Sequence, residues 1–334
     1  GGFSRPMSLA LAPGGLIFVL SRGLGYGTFS PDQPDLYRRI GKTTIEEHHE
    51  GDFGRSDFTW PAGIAVADDG DVYGSDEYEN VIRIFDPDST LPFPEYGEKG
   101  DRKAQWGEAG TEPGQLNGPS GLAFDAKNDL LVVDSRNDRV QRFTKEGQFL
   151  AAWGSTGESE GEFRRPWGIT VDAAGDVYVA DWGNSRVQKF TADGAYLMSF
   201  GTSPEAGGEL DHPADVAVDR GGDVYVTDWA NHRVQIYESD GEILTALYGD
   251  ARNPTDSKAG EYVINRDSKT KLAFDLVEDL TPMGRFMRPT GIEVDEQDRI
   301  IIADSRGRLQ VYAKLHQGAA ELSRTREAVP GSRV

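Results

Sequence analysis

Three arginines of this chain stand immediately before a recurring proline (Arg5, Arg165 and Arg288). Three more stand one or two places after a recurring aspartate or its counterpart (Arg22, Arg136 and Arg306). Trp60 also precedes one of the prolines, while Glu77, Tyr78, Trp182 and Trp229 follow the aspartates. A guanidinium fork holds a carboxylate or phosphate through two parallel hydrogen bonds, and indole or phenol rings offer flat apolar faces. Gathered around one opening, this set would bind an anionic small molecule, such as a sugar acid or an aromatic acid, or the carboxylate of a protein or peptide partner. The competing reading is that each arginine bridges to an aspartate of a neighbouring repeat.

A second candidate chemistry centres on Asp215, which takes the place held by Gly63, Gly121, Gly168 and Gly291 in other repeats and lies close to His212. With Glu77 it could ligate calcium or another hard cation, which needs several oxygen ligands. Raised in pKa by burial it could act as a general base, with His212 and Tyr78 completing a catalytic set. Calcium or zinc in an axial tunnel is the matching cofactor expectation. The plainer alternatives are that Asp215 neutralises one of the arginines and that His212 packs under the loop before Pro213.

The elements that would position these residues come from an internal repeat. Pro6, Pro61, Pro119, Pro166, Pro213 and Pro289 each open the same phrase. Asp76, Asp134, Asp181, Asp228 or Asp304 follows fifteen residues on in the last five copies. Between proline and aspartate lie two alternating apolar runs joined by a tight turn such as Ala174-Gly175-Asp176, the pattern of a hairpin. A third run headed by Arg83, Arg139, Arg186, Arg233 or Arg308 follows, and the third to fifth copies add a fourth run, as at Ala195 to Phe200. Each unit reads as a four-stranded antiparallel meander. Six such sheets gain stability by packing face to face around an axis, so the expectation is all-β, a single six-bladed β-propeller over residues 1–318 with a polar tail over 319–334. The repeated aspartate would accept backbone N–H groups and pair with the arginine of the third run, a structural role.

Long connections gather on the side of the mouth: Ser21 to Leu36, His48 to Phe58, Lys99 to Leu116, and a lid-like insertion from Gly249 to Arg285. The turns at the other end are minimal, and long loops on one rim of a rigid scaffold usually carry binding or catalysis.

The phrase from Arg165-Pro166-Trp167-Gly168-Ile169 through Asp181-Trp182-Gly183-Asn184-Ser185-Arg186-Val187-Gln188 resembles the NHL repeat, and Pro213 to Tyr237 is similar to it as well. The resemblance is strong in the second to sixth copies and weak in the first, where Ser8 and Ser21 replace the glycine and aspartate. It implies a six-bladed propeller. NHL-like propellers serve as protein-interaction modules, as RNA readers and as enzymes. The enzymatic relative splits peptidyl-hydroxyglycine with histidine-bound zinc, calcium, arginine and tyrosine. Here the histidines are His48, His49, His212, His232 and His316, which do not supply an evident three-histidine set. Six-bladed lactonases are similar at the level of fold.

Composition narrows the partners. Thirty-five Lys and Arg against 56 Asp and Glu leave a net charge of −21, the wrong sign for nucleic acid or an anionic membrane surface. No apolar run approaches a membrane span, no uncleaved signal peptide is visible, and zero cysteines exclude disulfides and thiolate chemistry. The leading expectation is thus a soluble propeller binding an anionic ligand or partner at an arginine- and tryptophan-rich mouth. The alternative is a metal-assisted lyase or hydrolase in the same tunnel.

Overall fold

The computed structural model describes residues 3, 5–23, 38–45, 49–54, 57–87, 102–202, 208–249 and 285–314. Among the described residues, twenty-three strands form six antiparallel sheets, each joined in chain order. The first blade holds β1 (Pro6–Ala12), β2 (Leu16–Arg22), β3 (Arg38–Thr44) and β4 (His49–Phe53). The second holds β5 (Pro61–Val66), β6 (Val72–Asp76), β7 (Val81–Phe85) and β8 (Arg102–Trp106). The third holds β9 (Pro119–Phe124), β10 (Leu130–Asp134), β11 (Arg139–Phe143) and β12 (Phe149–Trp153). The fourth holds β13 (Ile169–Val171), β14 (Val177–Asp181), β15 (Arg186–Phe190) and β16 (Tyr196–Phe200). The fifth holds β17 (Pro213–Val218), β18 (Val224–Asp228), β19 (Arg233–Tyr237) and β20 (Ile243–Leu247). The sixth holds β21 (Pro289–Val294), β22 (Arg299–Asp304) and β23 (Arg308–Ala313) among the described residues.

Two expectations need correcting. A fourth strand is present in the first two blades as well: β4 lies within the stretch His48 to Phe58 and β8 within Lys99 to Leu116, so neither stretch is merely a connection. Few large apolar side chains mark β4 and β8, because an outer strand faces solvent and needs no continuous hydrophobic pattern. The second correction concerns Arg83, which does not head its strand but sits two residues in, opposite Gly74. It occupies the place of Gln141, Gln188 and Gln235 in the other blades and still reaches the buried aspartate, Nη1 to Asp76 Oδ2 at 2.7 Å. The lid-like insertion beyond Gly249, up to residue 284, and the tail lie outside the described residues.

Six hydrophobic clusters hold the ring, one in each joint between blades. Strands β6, β10, β14 and β18 are buried at every position, since both of their faces meet a neighbouring blade. The last joint is closed by Leu9, Ile17 and Val19 against Ile301 and Ala303, with Thr290 Oγ1 donating to the Pro6 carbonyl at 2.8 Å.

The repeated aspartates are fully buried pillars. Each accepts the backbone N–H two places before its repeat's proline, as Asn117 N to Asp134 at 2.6 Å, Arg164 N to Asp181 at 2.8 Å and Asp211 N to Asp228 at 2.7 Å. Their other oxygens take guanidiniums: Arg139, Arg186 and Arg233 lie 2.8, 2.9 and 2.7 Å away. A carboxylate with no apolar alternative is thereby satisfied on several sides, as burial demands.

The glycine two places after the proline serves close approach of inner strands. A Cβ on Gly121 would stand 2.5 Å from the Trp167 carbonyl, the same oxygen that accepts the Gly121 N–H at 2.8 Å. Just ahead of these positions β1, β17 and β21 slip register against their partners. Such a bulge re-aims the residue following the proline, and that residue is what the site uses.

Candidate functional site

A cavity of about 210 Å³ opens on the axis at the end where the prolines and aspartates lie. Its floor is built from the residue after the proline in four repeats, Met7, Trp167, Ala214 and Thr290. Its walls come mainly from the residues after the aspartate or its counterpart, Arg22, Glu77, Ser135, Arg136, Trp182 and Trp229, together with Arg165. All six blades contribute to one opening.

Glu77 is the hub of its electrostatics. Its two oxygens accept Arg22 Nη2 at 3.1 Å and Arg136 Nη2 at 2.8 Å, joining the first three blades. Arg22 also donates from Nε to the Pro61 carbonyl at 3.0 Å and stacks 4.6 Å from the Trp60 ring. Burial lowers Arg22 to about 10, with Glu77 opposing the shift, so it remains a cation near neutrality. Part of the competing reading is thus correct, for Arg22 and Arg136 each bridge to a neighbouring blade's carboxylate. The partner is Glu77 and not one of the repeated aspartates, and two arginines on one glutamate leave a positive balance. Arg165 adds to that balance, exposed at the cavity wall.

Arg165 also has a left-handed backbone, φ 48°, as do Arg5 at 53°, His212 at 55° and Gly118 at 64°, all immediately before prolines. L-residues rarely adopt this conformation. Its recurrence shows that the repeat imposes it to turn each chain into its inner strand, and glycine meets it without strain in the third blade.

The remaining predicted residues divide. Trp182 and Trp229 line the cavity, while Trp60 and Arg288 are rim residues; the Arg288 guanidinium lies 4.2 Å from the Trp229 ring. Arg5 is exposed, and its carbonyl accepts the Arg22 N–H at 3.0 Å. Arg306 is exposed and its backbone N–H points to Asp304. Tyr78 is 69% exposed on the β6–β7 turn and is not part of the cavity wall. His212 bonds Asp211 through Nδ1 and packs edge-on against Trp182 with ring centroids 4.0 Å apart.

Asp215 lies deeper, in the tunnel. Its Oδ1 accepts Val216 N–H at 3.0 Å and its Oδ2 accepts Ile292 N–H at 3.1 Å, so it staples the fifth blade to the sixth and neutralises no arginine of the mouth. Desolvation pushes its carboxyl up to about 7, against these two N–H bonds. Asp215, His212 and Tyr78 therefore have separate partners, as do Asp215 and Glu77. Among the described residues no group of three or more His, Asp or Glu side chains could hold a metal ion.

Besides the floor residues Met7, Ala214 and Thr290, two further residues escaped the sequence reading. Trp167 lines the cavity and had a visible signal, being an indole where other repeats place Met7, Ala62, Ser120, Ala214 or Thr290. Glu293 is the second: four places after its proline it stands where the others have Ala10, Ala65, Ala123, Thr170 and Ala217. Burial and the nearby Asp215 carboxylate push it up to about 8.

Comparison with known proteins fits this architecture. The model of the NHL repeat matches residues 116–143, 163–190 and 210–237, in the third, fourth and fifth blades. Protein brain tumor of Drosophila melanogaster is 49% identical over 45 residues, 14% of this chain and 4% of that protein. B-box type zinc finger protein ncl-1 of Caenorhabditis elegans is 31% identical over 90 residues, 27% of this chain and 10% of that protein. The chain thus spans a tenth or less of these curated relatives. Among solved structures, a virginiamycin B lyase from Staphylococcus aureus is 14% identical with a TM-score of 0.52, covering 94% of this chain and 97% of that one. A gluconolactonase from Xanthomonas campestris is 15% identical with a TM-score of 0.57, covering 93% and 87%. At these identities the likeness is one of fold. No helix among the described residues is long and apolar enough to cross a membrane.

Proposed function

Because this chain is an NHL-repeat six-bladed β-propeller, whose fold by itself assigns no activity, we propose from its mouth that it binds an anionic ligand with a flat apolar body, either a free organic acid or the carboxylate of a peptide or protein partner. The observation that carries the reading is the shared cavity: Arg22, Arg136 and Arg165 face the same 210 Å³ as Trp167, Trp182 and Trp229. Three guanidiniums against one glutamate make the opening cationic in a molecule of net charge −21, so an anion is drawn to this end and not to the rest of the surface. Indoles supply the area that a carboxylate alone lacks.

Phenylacetate, inorganic phosphate and a peptide with a C-terminal aromatic residue test the reading, followed by the fluorescence of the cavity indoles. Phenylacetate or the peptide should bind with saturation, and Arg165→Gly together with Arg136→Ala should weaken it tenfold or more. Unchanged affinity in the double variant would overturn the proposal.

A metal-assisted lyase or hydrolase in the tunnel is supported by Asp215, whose burial raises its carboxyl to about 7, the range suited to a general base. Elemental analysis of the purified protein decides it: stoichiometric calcium or zinc that is lost in Asp215→Asn would shift the balance to this reading.

A further inference from the structure

The tunnel has a second chamber. At the end opposite the mouth lies a cavity of about 700 Å³, walled by the lower halves of β1, β5, β9, β13 and β21. Its wall is mixed: Ile17, Ile64, Leu122 and Ile169 bring aliphatic surface, while Thr44, Thr170 and the charged residues beyond β21 bring polar surface. Glu293 on β21 lines it, at an inner-strand position where the other five repeats have alanine or threonine. Among the described residues its carboxyl has neither a hydrogen bond nor an ion pair, and its resolved electrostatic neighbour is another carboxylate, Asp215 on β17.

The other charged groups of that wall are Asp295 and Glu296 of the β21–β22 turn and Arg299 at the start of β22. Arg299 is committed to Asp295, Nε to Oδ2 at 2.6 Å, and so neutralises neither Glu293 nor Glu296. Strands β1, β5, β9 and β13 bring no titratable side chain to the wall. A partly buried carboxyl without a partner costs free energy that a cation in the cavity would recover. A hydrated metal ion would gain nothing from the aliphatic part of this wall, whereas an ammonium carried on a hydrocarbon body would meet both the charge and the apolar surface.

We infer that the lower chamber is a second ligand site, separate from the mouth, which takes an organic cation with an aliphatic body and holds its charged end at Glu293. The site would discriminate by charge and by chain: a neutral alcohol of the same length loses the ion pair, and an inorganic cation loses the apolar contact.

The test is calorimetric titration of the full chain with hexylammonium, with 1-hexanol and with calcium chloride. Hexylammonium should bind with 1:1 stoichiometry, at least tenfold more tightly than hexanol, and Glu293→Gln should abolish that difference. Arg165→Gly, at the mouth, should leave it untouched. In the unaltered protein hexylammonium affinity should rise between pH 6 and pH 9 as Glu293 ionises, which gives a reading even if the variant folds poorly. Absence of saturable hexylammonium binding, or binding indifferent to both pH and Glu293→Gln, overturns the inference. Stoichiometric calcium that requires Glu293 would overturn it too, making the chamber a metal site.

Discussion

Arg136 and Glu77 meet across the joint between the second and third blades, Nη2 to Oε1 at 2.8 Å, and the other oxygen of the same glutamate holds Arg22 of the first blade. Glu77 is therefore an internal anion already seated among the mouth cations, and a ligand carboxylate must compete with it. Glu77→Gln should raise phenylacetate affinity roughly three- to tenfold, the effect of removing one nearby like charge. Loss of affinity instead would show that Glu77 organises the arginines for the ligand.

Arg165→Gly isolates the guanidinium from the backbone. The position has φ 48° and its counterpart in the third blade is Gly118 at 64°, so glycine relieves conformational strain there. Thermal unfolding should be unchanged or raised by about 1–2 °C, while mouth binding falls. A lower melting temperature would indicate that the Arg165 side chain is structural.

Asp181→Ala should cost about 3–5 kcal/mol in urea unfolding, the range for removing one partner of a buried pair. It leaves Arg186 and the Arg164 N–H without the oxygens they use at 2.9 and 2.8 Å. A loss under about 1 kcal/mol would refute the pillar role of the repeated aspartates.

The pH dependence of stability should carry the mark of the tunnel. Glu293 is raised from its ordinary 4.5 to about 8 by burial and by Asp215. Between those values the folded protein retains a proton that the unfolded chain has released, so stability falls as pH rises through this window and is greatest below it. Asp215, raised from 3.8 to about 7, acts in the same direction. Glu293→Gln should lift the melting temperature at pH 9 by roughly 2–4 °C and much less at pH 5. Equal shifts at both pH values would show that the carboxyl is solvated in the folded state.

Gly121→Ala should lower stability by about 1–3 kcal/mol, the usual cost of overpacking, because the added methyl meets the Trp167 carbonyl at 2.5 Å. Gly175→Ala, in a turn with open space around it, is the matched control: it has a positive φ of 89° and no such collision, so only the backbone cost applies. A loss at position 121 no larger than at 175 would mean that the strands are not in such close approach.

The repeat, the six blades and the structural role of the aspartates were legible in the chain because they follow from local spacing: proline, glycine and aspartate recur at fixed distances, and each answers the same backbone need in every blade, the glycine at the joint with the next one. The mouth was half legible. Positions beside the proline and aspartate named Arg22, Glu77, Arg136, Arg165, Trp182 and Trp229 as neighbours, since a ring brings equivalent places together whatever residues fill them. Tertiary structure alone decided how these charges are shared. That Glu77 takes two arginines, that Asp215 spends its oxygens on the N–H groups of Val216 and Ile292, and that Tyr78 turns outward depend on distances across blade joints, which spacing along one chain does not specify. Outer strands β4 and β8 were hidden for the converse reason, because solvent asks little of their sequence. Glu293 was visible as an oddity at an alanine position, but only the ring turns that oddity into a cavity-lining carboxyl with no cation of its own among the described residues.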